Sequence, residues 1–176
     1  MMEEIEIKIL EINKDEVIKK LIKLGAKKVF DGPMNSIYLD RDKELRDTKK
    51  TLRIRQKGDK CIVTFKIKKE DRDVKIADEY ETEVKDFEEA KLIFKNLGFD
   101  EYKTDFRNRV SYKLKNSLVE IDTFLKAHNY VPTFLEIESP NKEEIKEVAK
   151  LLDFSENQLK PWSGKEVLEY YKKKKK

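Results

Sequence analysis

The feature that most constrains this chain is a recurring alternation of charged and apolar side chains. It opens the sequence as Glu4-Ile5-Glu6-Ile7-Lys8. A strand would place the charged residues of this segment on one face and the isoleucines on the other. One such strand alone is more typical of a solvated surface. Its recurrence instead predicts a sheet whose charged faces lie towards each other. Further strands are predicted at residues 36–40, 51–55, 62–68, 79–85, 104–114, 118–122 and 134–138.

Amphipathic helices separate several of these strands. Each has an apolar stripe along one side, and a polar residue that caps its N-terminus precedes the stripe. The three longest are predicted over residues 16–24, 87–97 and 142–152, after Asn13 or Asp15, Asp86 and Asn141 respectively. A short final helix is predicted over residues 165–171, and the basic tail 172–176 is expected to be disordered.

The chain also contains an internal echo. Residues 81–85 repeat the charge spacing of residues 4–8, and each segment precedes a helix that ends in Leu-Gly. An arginine pair with one intervening residue follows each helix, at 53 and 55 in the first half and at 107 and 109 in the second. This self-similarity predicts two related strand–helix halves that face one another.

A closed barrel accommodates both faces of these strands. The apolar faces supply the surface that the helices must cover, and the charged faces turn inward to line a polar lumen. We therefore predict one α+β domain over residues 1–171, a closed eight-stranded antiparallel β-barrel with helices packed on the outside. Since charged groups are costly to bury without partners, such a lumen implies a ligand that contacts both signs of charge.

Composition excludes several kinds of site. One cysteine, Cys61, rules out an intramolecular disulfide and a cysteine-rich zinc site, and one histidine, His128, rules out a cluster of histidine ligands. Any metal would need oxygen ligands, which suits Mg²⁺, Mn²⁺ or Ca²⁺. The net charge of +4, from 40 basic and 36 acidic residues, does not by itself imply a nucleic-acid partner.

A polyphosphate bound with divalent metal ions meets the need for both charge signs. Carboxylates would hold the metal, and cations would clamp phosphate oxygens. The predicted metal ligands are Glu4, Glu6, Glu136 and Glu138, with Asp122 beside them. The predicted clamp consists of Lys8, Arg53, Arg55, Lys66, Arg107 and Arg109, and Lys68 shares a strand face with Lys66.

These segments together resemble the CYTH family, also called triphosphate tunnel metalloenzymes. The resemblance rests on Glu4-x-Glu6-x-Lys8, Thr51-Leu52-Arg53-Ile54-Arg55, Thr64-Phe65-Lys66, Glu81-x-Glu83, Arg107-x-Arg109, Asp122 and Glu136-Ile137-Glu138, in that order along nearly the whole chain. It implies a tunnel-like barrel of eight antiparallel strands in which Glu81 and Glu83 are further tunnel carboxylates. It also implies a Mg²⁺- or Mn²⁺-dependent reaction on a triphosphate. In length the chain is most similar to members of the class IV adenylate cyclase branch of this family. The resemblance also implies that the clamp residues are catalytic.

Three functions remain open at this point. A cyclase converts ATP to cyclic AMP and pyrophosphate, whereas a triphosphatase hydrolyses inorganic triphosphate, thiamine triphosphate or nucleoside triphosphates. A non-catalytic binder of polyphosphate or RNA would use the cations alone, and it would have no need for paired glutamates on the same strands.

Partners and location follow from the same sequence. We expect a small-molecule triphosphate as partner, no specific nucleic acid and no membrane, because no run of about 20 apolar residues occurs. An acidic first strand in place of an apolar leader predicts a cytoplasmic protein. Apolar strand faces that three helices leave uncovered are compatible with a homodimer. His128 and Cys61 are expected to pack or lie at the surface, Trp162 to pack on the barrel or cover one mouth, and Lys160 and Lys165 to lie within reach of a phosphate.

Overall fold

The strands form a closed antiparallel barrel, as the sequence pattern predicts. A computed structural model describes residues 2–175, and within them eight strands pair in the order β1-β5-β4-β3-β2-β6-β7-β8 and back to β1. This closure removes the free edges that an open sheet would expose. The strands are β1 Met2–Ile9, β2 Lys27–Asp40, β3 Lys50–Lys57, β4 Lys60–Lys69, β5 Lys75–Val84, β6 Asp100–Leu114, β7 Ser117–Phe124 and β8 Phe134–Ser139.

Five helices occur within the described residues, and they lie outside the barrel. The predicted side-chain caps form: Asn13 accepts hydrogen bonds from backbone N–H groups at the start of the first helix, and Asp86 and Asn141 cap two later helices in the same way. The short second helix is absent from the prediction. The helices are α1 Lys14–Lys23, α2 Glu44–Asp47, α3 Phe87–Asn96, α4 Lys142–Leu151 and α5 Gly164–Lys174.

The apolar strand faces pack against these helices. The isoleucines of β1 lie in one buried cluster with α1 and α4, together with the apolar faces of β7 and β8. A second cluster joins α2 and α3 to β2 and β3. Because side chains alternate along a strand, the residues between these apolar positions point to the barrel interior. The residues buried in the first cluster include Ile5, Ile7, Ile9, Leu21, Val119, Ile121, Leu135, Ile137 and Val148.

Helix α5 packs across one end of the barrel. Phe124 at the end of β7 and Phe134 at the start of β8 form a buried cluster with Val167 and Leu168 of α5. The segment that leads into α5 is fixed to β1 by two backbone hydrogen bonds between Lys8 and Lys160, 2.9 and 2.8 Å long. The helix therefore covers the barrel end at which β1 and β7 finish.

Strand β2 differs from its prediction. The sequence pattern predicts a strand over residues 36–40 only, whereas β2 runs without interruption from Lys27 and pairs Gly32 with Arg109 of β6. Pairing of β2 with β3 begins only at Met34, so Pro33 lies where one side of the strand has no neighbour. A strand tolerates proline at such an edge position, which explains why the Gly-Pro pair does not break it.

The internal echo agrees with the structure in part. Both β1-α1-β2 and β5-α3-β6 are strand–helix–strand units, and their strands pair β1 with β5 and β2 with β6. Gly25 and Gly98 end the two helices with positive φ angles of 75° and 86°. The arginine pairs, however, are not equivalent, because 107 and 109 lie in β6 whereas 53 and 55 lie one strand later, in β3.

The C-terminal helix extends further than predicted. Lys172, Lys173 and Lys174, which the sequence pattern assigns to a disordered tail, continue α5, and Lys176 lies outside the described residues. None of the helices found in residues 2–175 has the length and apolar character needed to span a membrane.

Candidate active site in the barrel lumen

Charged residues of β1, β6, β7 and β8 meet inside the barrel. On β1, Glu4, Glu6 and Lys8 are each at least 93% buried although their side chains are charged. The register places Lys8 opposite Glu136 of β8, and Glu6 opposite Glu138. Alternation with the isoleucines of the helix-covered face explains why all these side chains point inward.

Lys8 is held by two glutamates. Its Nζ lies 2.5 Å from Oε1 of Glu6 and 3.0 Å from Oε1 of Glu136. Burial alone would lower the pKa of Lys8, but the carboxylates of Glu136 and Glu6 outweigh it and raise the pKa above its usual value. Glu6 also forms an ion pair with Lys75, whose Nζ lies 2.8 Å from Oε1 of Glu6. The ammonium groups of Lys75 and Lys8 outweigh the effect of burial and lower the pKa of Glu6. Both glutamates therefore carry charge in the folded protein.

Asp122 orients two arginines. Its Oδ1 accepts a 2.6 Å hydrogen bond from Nε of Arg109, and its Oδ2 accepts a 2.6 Å bond from Nη1 of Arg107 and a 2.5 Å bond from Nη2 of Arg109. Arg109 also contacts Glu136 at 2.8 Å, and it forms an ion pair with Glu120. Burial would raise the pKa of Asp122, but the two guanidinium groups hold it well below its usual range.

Arg55 is a half-buried cation without a counterion among the described residues. Its Nε donates a 3.2 Å hydrogen bond to the Ser36 hydroxyl, and no carboxylate in residues 2–175 forms an ion pair with it. Burial and the neighbouring guanidinium groups of Arg53 and Arg109 lower the pKa of Arg55 to about 10. This wall of the lumen therefore favours an anion.

Arg53 strengthens the same wall. Its Nη2 donates to the Thr64 hydroxyl at 3.2 Å, and its nearest carboxylate oxygen, on Glu79, lies 3.9 Å away. Its Nε is buried and has no hydrogen-bond partner among the described residues, and the same holds for Nε of Arg107. Buried donors normally have partners, so each of these two nitrogen atoms has a hydrogen-bonding requirement that the described residues do not meet.

Glu138 has the opposite character. No cation in the described part of the chain forms an ion pair with it, although Lys66 lies nearby and pairs with Glu4 and with Glu79. Burial and the carboxylates of Glu4 and Glu120 raise the pKa of Glu138 to about 8. Burial and the Glu6 carboxylate also raise the pKa of Glu4. This part of the lumen therefore favours an added cation.

The lumen carboxylates have the right ligand atoms for a divalent cation, but they are not arranged around a common point. Across residues 2–175, no three acidic, histidine or cysteine side chains form a group ready to hold a metal ion. Glu4 and Glu138 nevertheless supply the oxygen ligands that Mg²⁺ and Mn²⁺ prefer, and burial together with neighbouring carboxylates raises the pKa of both groups. Both oxygens of Asp122, by contrast, are engaged by arginines.

Three predicted site residues lie apart from this cluster. Glu83 is exposed and pairs with Lys60 at 2.8 Å, and Glu81 is exposed and accepts a hydrogen bond from Thr64. The reason is strand length, because β1 pairs with β5 only up to Glu79, so later residues of β5 extend beyond the barrel rim. Lys68 is also exposed, near the other end of β4.

Other lumen residues are missing from the prediction. Glu79 pairs with Lys66, and Lys57 reaches to 3.7 Å from Glu120 across the barrel. Glu79 lies on the same strand face as Glu81, and Glu120 lies on the same face as Asp122. The alternation of charged residues in the sequence could therefore have identified Glu79 and Glu120 as lumen residues. Lys75 carried none, because it lies in a stretch that reads as a charged loop.

The remaining candidates are placed as follows. Cys61 is buried, and Trp162 packs with the cluster at the barrel end, its ring 5.1 Å from that of Tyr170. Lys160 donates to the carbonyl of Asn157, and Lys165 is exposed beside Glu169. His128 is partly buried against the ring of Phe124.

Comparison with known proteins shows the family of this chain. The sequence profile of the CYTH domain matches residues 2–171. The chain belongs to the CYTH domain family. A Methanocaldococcus jannaschii protein named "putative adenylate cyclase" is 32% identical over 167 residues, which cover 90% of this chain and 94% of that protein.

Solved structures share the fold of this CYTH domain. The PH1012 protein of Pyrococcus horikoshii OT3 superposes with a TM-score of 0.75 at 30% identity, covering 94% of this chain and 98% of that one. A Hippeastrum protein described by a dominant triphosphatase activity superposes with a TM-score of 0.70 at 15% identity, covering 97% and 96%. At that identity the second likeness concerns the fold alone.

Proposed function

We propose that this CYTH domain is a divalent-metal-dependent enzyme that acts on a triphosphate, as an adenylate cyclase that converts ATP to cyclic AMP and pyrophosphate. One observation carries the proposal: among the described residues, a single lumen holds an arginine without a counterion, Arg55, and a glutamate without a cation, Glu138. A polyphosphate that enters together with a divalent cation supplies both missing partners.

Each wall of the lumen has a part in this proposal. Arg53 and Arg55 bind phosphate oxygens from one side, and Arg107 and Arg109 do so from the other, in the orientation that Asp122 imposes. Lys8 and Lys66, which pair with Glu6, Glu136 and Glu4, would add positive charge to the phosphate site when those glutamates hold a metal. The residues that would hold Mg²⁺ or Mn²⁺ are Glu4, Glu6, Glu136 and Glu138. When bound, the metal would neutralise charge on phosphate oxygens and orient them.

The cyclase reaction uses this clamp in one displacement. The ribose 3′-hydroxyl of ATP forms a bond to the α-phosphorus, the bond from that phosphorus to the bridging oxygen breaks, and the hydroxyl proton is released. Charge that builds on the phosphorus oxygens and on the pyrophosphate is stabilised by guanidinium groups already in place, such as those of Arg107 and Arg109.

A triphosphatase is the second candidate. In that reaction water attacks the terminal phosphorus, and the same arginines stabilise the departing diphosphate. The Methanocaldococcus relative bears a cyclase name, whereas the Hippeastrum protein of the same fold is described by triphosphatase activity. Both chemistries use the same charged lumen and differ in which phosphorus lies beside the nucleophile.

A passive polyanion binder is the third candidate. Such a protein needs cations, but it gains nothing from carboxylates buried among them, such as Glu4 and Glu6. The variants Glu4→Gln and Glu6→Gln separate these cases. We expect them to abolish metal-dependent turnover, whereas a wild type without turnover and variants with unchanged ligand affinity would support the binder.

Product analysis tests the proposal directly. The protein is incubated with ATP and Mn²⁺, and cyclic AMP, pyrophosphate and orthophosphate are separated by anion-exchange chromatography. We expect cyclic AMP and pyrophosphate in equal amounts, and none of either without metal. Orthophosphate alone would refute the cyclase and favour the triphosphatase.

A further inference from the structure

A second polar cluster lies beside the arginines at the barrel end near α5. Asp105 of β6 is 1% exposed, and its Oδ2 lies 3.0 Å from Nζ of Lys103 and 3.2 Å from Nη2 of Arg107. His128 packs edge-on against the ring of Phe124, with 5.8 Å between ring centres. Its Nε2 lies 3.7 Å from Oδ1 of Asp105.

Two atoms of this cluster lack partners. Oδ1 of Asp105 and Nδ1 of His128 are buried and have no hydrogen-bond partner among the residues that the structure describes, although the Asp105 carboxylate as a whole also interacts with the Tyr38 hydroxyl. The gap of 3.7 Å between Nε2 of His128 and Oδ1 of Asp105 is too long for a direct hydrogen bond. Buried polar atoms are normally satisfied, so Oδ1 of Asp105 requires a donor, and a group placed in this gap would also lie beside Nε2 of His128.

A hydroxyl group has the required chemistry. It donates one hydrogen bond, which Oδ1 of Asp105 accepts, and it accepts another, which an imidazole N–H donates. A phosphate oxygen does not fit, because it would meet the carboxylate with like charge. The side chains of His128 and Lys103 remain 25% and 22% exposed, so the cluster is open to a group entering from solvent.

We propose that Asp105 and His128 form a hydroxyl-binding subsite for the organic group of the substrate. Arg107 joins this subsite to the phosphate clamp, because one guanidinium contacts both Asp105 and Asp122. The subsite selects a triphosphate ester with a free hydroxyl near its phosphate chain over an inorganic triphosphate. This inference rests on the proposed function and adds the selection of the substrate.

Equilibrium binding tests the subsite without interference from turnover. Dissociation constants are measured by calorimetry in EDTA, which stops metal-dependent chemistry, for ATP, 2′-deoxy-ATP, 3′-deoxy-ATP and inorganic triphosphate. We expect the wild type to bind at least one deoxynucleotide about tenfold more weakly than ATP, the effect of losing one hydrogen bond to a charged group. Asp105→Asn is expected to raise the dissociation constant of ATP about tenfold and that of inorganic triphosphate less than twofold.

Two further variants complete the test. His128→Phe keeps the aromatic contact with Phe124 but removes the ring nitrogens, so we expect the same selective loss even where Asp105→Asn fails to fold. Asp71→Asn is the matched control, since Asp71 also pairs with a lysine, Lys142, but far from the lumen. It is expected to change no dissociation constant.

Several outcomes would overturn the inference. Equal affinity of the wild type for ATP and both deoxynucleotides would mean that the gap holds water only. An equal loss for ATP and inorganic triphosphate in Asp105→Asn would mean that Asp105 acts only through Arg107. A separate titration with Mg²⁺ compares inorganic triphosphate with orthophosphate, and if the wild type binds the two equally the proposed function itself fails, a result distinct from the other two.

Discussion

Replacement of Glu138 by glutamine should make the ligand-free protein more stable at high pH. Glu138 lies in the lumen with no cationic partner among the described residues, and burial and the carboxylates of Glu4 and Glu120 raise its pKa to about 8. Glutamine has nearly the same shape and cannot ionise. The variant therefore removes an unfavourable charge while it keeps the packing of β8.

The magnitude follows from the pKa. The folded-state value of about 8 lies above the ordinary value of 4.5, so the stabilising contribution of the protonated group is complete below pH 4.5 and is lost as the pH rises through 8. Each pKa unit corresponds to about 1.36 kcal/mol, which sets an upper limit of about 5 kcal/mol. Solvent that reaches this partly exposed side chain lowers the expected gain to about 2–5 kcal/mol at pH 9.

Urea denaturation at pH 5, 7 and 9 in EDTA measures this gain. Wild type and Glu138→Gln should unfold at nearly the same urea concentration at pH 5 and diverge as the pH rises. Glu169→Gln, an exposed glutamate on α5, serves as the control and should follow the wild type. When EDTA is replaced by saturating Mn²⁺ at pH 9, the free energy of unfolding of the wild type should rise, and that of Glu138→Gln should stay the same. Parallel pH profiles of the two proteins would refute the reasoning.

Three further substitutions test the rest of the structure by the free energy of unfolding. Asp122→Asn should cost about 3–5 kcal/mol in chemical denaturation, because it leaves two buried arginines without their shared carboxylate; a cost below 1 kcal/mol would contradict that network. Ile137→Ala should cost about 2–5 kcal/mol, since the side chain is fully buried between barrel and helices, and a near-neutral result would place it at the surface. Gly98→Ala should lower the free energy of unfolding by about 1 kcal/mol, because φ is 86° at this position. Gly164→Ala, at the start of α5, should leave the free energy of unfolding unchanged.

The charged alternation was sufficient to predict the barrel wall. In strands such as β1 and β8, charged and apolar side chains alternate. Once Glu4 and Glu6 are assigned to the lumen and Ile5 to the helix-covered face, every other side chain of the strand is assigned as well. Helix starts were equally readable, since Asp86 and Asn141 are capping residues followed by an apolar stripe.

Partner choice inside the lumen was not readable. Asp122 holds Arg107 and Arg109 because β7 is the neighbour of β6 and the register sets Asp122 opposite Arg109. Strand order and register are long-range properties, so a single sequence does not reveal which cation each carboxylate meets. Arg55 without a counterion and Glu138 without a cation, which carry the functional proposal, emerge only once those pairings are known.

Local signals also misled where tertiary pairing decided the outcome. Gly32-Pro33 has the composition of a turn, but β6 pairs with this segment and keeps it extended. Lys75 reads as part of a charged loop, yet it begins β5 and contacts Glu6 at 2.8 Å. In both places the neighbouring strand, and not the local residue preference, determines the conformation.

In the proposed function, the lumen binds a triphosphate together with a divalent metal ion. Titration of inorganic triphosphate into the protein by calorimetry, with and without Mg²⁺, tests it most directly. We predict binding that strengthens with Mg²⁺, falls at least tenfold in Arg55→Gln and is unchanged in Arg72→Gln, whose side chain is exposed. Equal affinity of wild type and Arg55→Gln, or no effect of Mg²⁺, would contradict the account.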